Sequence, residues 1–103
     1  MAKYYQIGGE MVPYMASYKG GTAISPAGTA VYLTPPTGAN SFYCRPAGGA
    51  AYYNLGGGSP SASSPGYIPE NYIDMVGMID NFPGSVGFWQ ASGTVYVQWF
   101  DAL

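Results

Sequence analysis

Glycine and proline interrupt this chain so often that no long helix fits between them. Sixteen glycines and nine prolines make up about a quarter of its 103 residues. In a helix interior they cost about 1 and 3 kcal/mol respectively, whereas turns and strand ends accommodate both. The runs between them are short and rich in Tyr, Val, Phe and Thr, residues that suit a pleated, half-buried strand. This punctuation constrains the fold more than any other feature, and it predicts an all-β protein.

Residues 1–27 contain Gly8-Gly9, Pro13, Gly20-Gly21 and Pro26, which break any long element. Their apolar residues follow neither a period of 2 nor of 3.6, so this segment reads as an extended N-terminal arm. A short hairpin around Gly8-Gly9 fits the pattern. From Gly28 onward, strand signals recur at roughly ten-residue spacing. Thr29–Thr34 is stopped by Pro35-Pro36, and Thr37-Gly38-Ala39-Asn40 is a turn. Ser41–Arg45 and Ala50–Leu55 alternate. Gly56–Gly66 is a low-complexity loop, too polar for a core. Tyr67-Ile68-Pro69, Tyr72–Met78, Val86–Gln90 and Thr94–Phe100 follow. The expectation is a small β-sandwich or barrel of six to eight short antiparallel strands over residues 28–103. Period-2 alternation assigns its core to Val31, Leu33, Phe42, Cys44, Tyr53, Leu55, Ile68, Ile73, Met75, Val86, Phe88, Val95, Val97 and Trp99.

Only 8% of the residues are charged and the formal net charge is −2, against about 25% charged in a typical soluble domain. Lys3, Lys19 and Arg45 are the only cations, too few for a basic nucleic-acid-binding face. There is no His, the commonest general base and metal ligand. No run approaches the ~20 apolar residues of a membrane helix. Met1-Ala2-Lys3-Tyr4-Tyr5 lacks the apolar stretch of a signal peptide. A single cysteine cannot make an internal disulfide.

Chemistry finds little to work with. The acids Glu10, Glu70, Asp74, Asp80 and Asp101 read as solvated carboxylates at turns, strand ends and outward strand positions. Cys44 stands beside Arg45 but alternates in phase with Phe42, as a small buried hydrophobe would. No catalytic residue, metal site or cofactor is expected. The aromatics are the stronger signal. Tyr43, Tyr52, Tyr96 and Phe100 fall on outward strand positions, where their rings can meet a protein surface or stack on a sugar. The low charge favours the protein interface. In the arm, Tyr4, Tyr5, Ile7, Met11, Val12, Tyr14, Met15 and Tyr18 form an apolar load that soluble monomers rarely expose, and they are the expected partner-binding residues.

Taken together, the Met1-Ala2-Lys3 start, the Tyr- and Gly-rich arm and the loop Ser59-Pro60-Ser61-Ala62-Ser63-Ser64-Pro65 define a style. The ending Gln90-Ala91-Ser92-Gly93-Thr94-Val95-Tyr96-Val97-Gln98-Trp99-Phe100 completes it. Over most of its length the chain resembles the short β-rich structural proteins of bacteriophage virions. The resemblance implies a capsid decoration (cement) protein or a head or tail accessory protein, without enzymatic activity. It implies the major capsid protein or other virion proteins as partners, with neither nucleic acid nor membrane among them. It further implies a homo-oligomer, a trimer before other forms, made in the host cytoplasm and resident in the virion. The alternative is a tail or head-fibre module that binds a receptor or carbohydrate.

Overall fold

The computed structural model describes residues 4–7, 10–13, 15–56, 58–77 and 83–102, with side chains for 17–56, 58–77 and 83–101. The chain is all-β. Its strands are β1 (Tyr4–Ile7), β2 (Glu10–Pro13), β3 (Met15–Ile24), β4 (Val31–Leu33), β5 (Ser41–Ala47), β6 (Ala51–Leu55), β7 (Gly66–Ile68), β8 (Asp74–Gly77), β9 (Val86–Gln90) and β10 (Thr94–Ala102). β1 and β2 form a separate antiparallel hairpin. The other eight make two four-stranded sheets, sheet I in the order β3-β10-β5-β8 and sheet II in the order β4-β9-β6-β7. All pairings are antiparallel.

The sandwich therefore starts earlier than its sequence suggests. β3 lies along β10 from Val95↔Ile24 to Ala102↔Met15, so residues 15–24, expected in the arm, are an edge strand of sheet I. The Gly20-Gly21 pair does not break this strand. Trp99 pairs with Gly20 and Phe100 with Tyr18, which leaves Lys19 as a bulge, a common adjustment at a sheet edge.

Alternation along β5, β9 and β10 fills the space between the sheets. Phe42, Cys44, Ile68, Val86, Phe88, Val95, Val97 and Trp99 are buried as expected, and Ala51 joins them. Phe42 is the centre. Its ring lies 5.3 Å from that of Trp99 in its own sheet and 5.9 Å and 6.2 Å from those of Phe88 and Tyr53 across the gap. Leu33 and Tyr53 are partly buried against this cluster, and Val31 is half-buried.

Three expected core residues are displaced. Ile73 is 55% exposed because β8 begins one residue later, after a turn in which Asn71 has φ 65°. The register then sets Val76 opposite Phe42, Met75 opposite outward-facing Tyr43 and Asp74 opposite Cys44, so Val76 replaces Met75 on the core face. Leu55, at the end of β6 before the glycine-rich loop, is 41% exposed. Pro46 is buried inside β5. It lies beyond the end of β8, where no ladder bond needs its missing N–H, and its carbonyl accepts the Asn71 N–H at 2.7 Å.

Two crossings between the sheets run side by side. β5 passes into β6 through Gly48-Gly49-Ala50, and β9 passes into β10 through Ala91-Ser92-Gly93. Because β5 pairs with β10 and β6 with β9, the two crossings touch. Ser92 Oγ donates to the Gly48 carbonyl at 3.1 Å. Gln90, fully buried, ties the corner together. Its Nε2 donates to the carbonyls of Gly49 at 2.9 Å, Ala47 at 3.3 Å and Thr94 at 3.4 Å. Its Oε1 is buried without a partner among the described residues, which offsets part of that gain. Gln90→Leu keeps the volume and removes the donors. The expected cost is about 1–3 kcal/mol, read as a fall in Tm of at least about 5 °C.

Candidate functional site

The outer faces of a sandwich need no aromatic residues for folding, yet both sheets carry them here. On sheet I the outward positions of β10 are Tyr96, Gln98 and Phe100, and those of β5 are Tyr43 and Arg45. Register sets Tyr96 opposite Arg45 and Gln98 opposite Tyr43. Phe100, expected on the exposed surface, is only 9% exposed. Tyr18 and Tyr43 flank its ring with centroids 5.6 Å and 5.3 Å away, so it is covered by its neighbours. Tyr96 is exposed as expected, and the Arg45 guanidinium lies 4.6 Å from its ring centroid, a cation–π contact.

Between these side chains runs a groove of about 500 Å³, lined by Tyr18, Tyr43, Arg45, Ile73, Tyr96 and Gln98. The groove exists because β3 contributes Gly21 and Ala23 opposite Gln98 and Tyr96, where larger side chains would fill it. A Cβ on Gly21 would lie 2.9 Å from the Tyr18 hydroxyl and 2.9 Å from the Val97 carbonyl. Of the lining residues, Gln98 and Ile73 were not expected at a site. Strict alternation sets Gln98 between outward Tyr96 and Phe100. Ile73 gives no such signal, since its hydrophobicity points inward.

On sheet II, Tyr52 stands between Tyr67 and Trp89 in register, with ring centroids 5.2 Å and 5.9 Å away. This row crosses β7, β6 and β9. Trp89 and Tyr67 were not expected in it, although alternation in Val86–Gln90 places Trp89 outward. The Ser/Pro-rich loop packs beside the row rather than away from the body. Pro60 is buried over Gly87, where a Cβ would come within 2.9 Å of the proline ring and 3.1 Å of Tyr32. Tyr32 donates to Ser59 Oγ at 3.3 Å. Ser61 and Ser64 close a local turn through the Ser61 N–H to Ser64 Oγ bond at 2.9 Å.

Of the expected arm residues, Tyr18 belongs to β3 and is exposed. The backbones of Tyr4, Tyr5, Ile7, Met11 and Val12 form the β1–β2 hairpin, and Met15 begins β3. The side chains of these six, and Tyr14 altogether, lie outside the described residues. So does Asp80. Glu70 is exposed, while Asp101 is half-buried. Among the described residues, no three His, Cys, Asp or Glu side chains gather as a metal would need.

Asp74 departs from the solvated expectation. It is half-buried on the core face opposite Cys44, and its Oδ1 accepts the Met75 N–H at 3.0 Å. Burial, with the Asp74 carboxylate beside it, pushes the Cys44 thiol from 9.0 up to about 12. Tyr53 is raised by burial first, then by Asp74 and Cys44. Cys44 is thus a packing residue rather than a nucleophile, despite adjacent Arg45. A raised folded-state pKa stabilises the fold fully below the unfolded value and loses that contribution as pH rises through the folded one. Stability should therefore decline between pH 9 and 12, by up to about 1.4 kcal/mol per pH unit from this thiol. Urea midpoints at pH 8, 9.5 and 10.5 check this, and Cys44→Ala should flatten the decline.

Compared with protein-family models, curated proteins and solved structures, the chain matches none.

Proposed function

We propose that the protein is a non-catalytic structural module that docks on protein surfaces, and that it serves as a decoration protein on a phage capsid. The observation that supports docking is the aromatic dress of both outer faces, Tyr18, Tyr43 and Tyr96 on one and Tyr52, Tyr67 and Trp89 on the other. Tyr and Trp are enriched where proteins meet, and charge is depleted there. The phage setting comes from the resemblance in composition and punctuation alone.

The test is to mix the purified protein with phage heads assembled without it, then sediment them. Saturable binding of many copies over the shell, with heads made more resistant to heat, is the expected result. No binding to heads would overturn the decoration role. A second reading is a tail or head-fibre module that binds a receptor or carbohydrate, and the Tyr67–Tyr52–Trp89 row favours it, because flat rings stack on sugars. Binding at one vertex or to tails would select it.

The β1–β2 hairpin gives a sharper prediction. It pairs with neither sheet, so deleting residues 1–13 should leave a cooperatively folded sandwich. Under this proposal the truncated protein binds heads at least about tenfold more weakly, because an apolar hairpin supplies anchor residues to the shell. Unchanged occupancy on heads would show that the hairpin is not an anchor.

A further inference from the structure

We infer that the groove on the outer face of sheet I binds a peptide segment of the partner protein that carries a carboxylate side chain, with Arg45 as its recognition residue. The inference rests on the reading that the protein docks on protein surfaces.

Three observations converge on it. The first is charge. Arg45 is one of three cations in the chain; among the described residues no carboxylate lies within ion-pair distance of it, and its guanidinium lies over the Tyr96 ring. A ring contact uses the face of a guanidinium and leaves its in-plane N–H donors unspent. Such a fork matches a carboxylate, which can accept two parallel bonds. The second is the wall chemistry. Tyr18, Tyr43, Tyr96 and Ile73 give apolar surface beside the guanidinium, and the tyrosine hydroxyls, Thr22 and the Gln98 amide supply donors and acceptors. Apolar rings flanking one cation suit a peptide with one acid and apolar neighbours, and the remaining polar groups can meet its backbone. The third is size. The groove of about 500 Å³ crosses β3, β10 and β5, room for a few residues of extended chain.

A titration followed by amide NMR shifts tests this on the full chain. The probes are acetyl-Phe-Asp-Phe-amide, its neutral counterpart acetyl-Phe-Asn-Phe-amide, and glucuronate. The acidic peptide should shift the amides of Arg45, Tyr96, Gln98 and Gly21 and bind about fivefold tighter than the neutral one, the contribution of a half-exposed ion pair. Arg45→Gln should abolish that preference. Gln98→Glu places a competing carboxylate beside the guanidinium and should abolish it too, which guards against a fold effect of either substitution. Equal affinity for the two peptides, a preference that survives Arg45→Gln, no shift at the groove, or tighter binding of glucuronate would each overturn the inference. Heads that still bind Arg45→Gln protein at full occupancy would remove the groove from docking while leaving the decoration role intact. Failure of the native protein to bind heads, with the peptide preference present, would remove the role and keep the site.

Discussion

Val97→Asp should leave the protein unfolded. Val97 lies at the middle of β10, 1% exposed, between Thr22 of β3 and Cys44 of β5, and its side chain faces the layer between the sheets. A carboxylate there has two options. It can stay ionised without a partner, which costs several kcal/mol after relaxation. It can instead take up a proton, which at neutral pH costs about 4 kcal/mol for a carboxyl of ordinary pKa near 4, and the buried acid group left without a partner adds about 1–3 kcal/mol. Either outcome uses up much of the roughly 5–15 kcal/mol that holds a domain together, before the lost packing of the valine is counted. Circular dichroism and a urea titration measure the result. Gln98→Asp, one residue along on the outer face, should remain folded, since Gln98 is exposed. A cooperative urea transition in Val97→Asp would mean that the faces of β10 are reversed.

Gly93→Ala should be the most damaging single-methyl change. Gly93 has φ 102°, a region that L side chains enter only under strain, at about 1–3 kcal/mol. A Cβ there would also overlap the Ala47 carbonyl oxygen and reach within 2.9 Å of the Gly48 carbonyl carbon. These are backbone atoms of the neighbouring crossing, so no side chain can swing aside, and overpacking adds about 1–3 kcal/mol. Gly56→Ala separates the two costs. Gly56 has φ 80° with nothing within 4 Å of its Cβ position, so it should lose only the conformational part. If Gly93→Ala proves no worse than Gly56→Ala in urea, the two crossings do not touch.

Much of this was legible in the sequence, and the failures have physical reasons. Strand alternation identified Phe42, Cys44, Val95, Val97 and Trp99 because those strands lie at the centre of a sheet, where one face is buried along its whole length. It failed at β8, an edge strand of four residues, where one turn residue moves the start and flips every side chain. It failed at β3 because two adjacent glycines read as a chain break, whereas both stay in register with β10 and the irregularity falls on Lys19. Phe100 was rightly placed on the outer side, but alternation cannot tell that flanking Tyr18 and Tyr43 would cover it. Gln90 was unreadable as a core residue: two of the three carbonyls its amide meets come from the distant crossing at Ala47 and Gly49, and the third from Thr94 after its own turn. The groove was half-legible. Tyr43 and Tyr96 were expected outward, while its depth comes from Gly21 and Ala23, which carry no signal of their own.

The place of β10 in sheet I also governs how the molecule can be made. It is the last of the described strands in chain order, and it is inserted between β3 and β5. Its partners are remote, with Val95 about seventy residues from Ile24. While the ribosome is still delivering residues 28–93, β3 has no neighbour in its sheet, Phe42 lacks the Trp99 ring and Cys44 lacks its β10 partner Val97. The nascent chain then exposes apolar strands with open edges, the condition in which chains aggregate or recruit chaperones. Pairings this distant also close slowly. Completion of sheet I thus waits for residues 94–102, and slow translation earlier in the message lengthens the exposed interval without completing it.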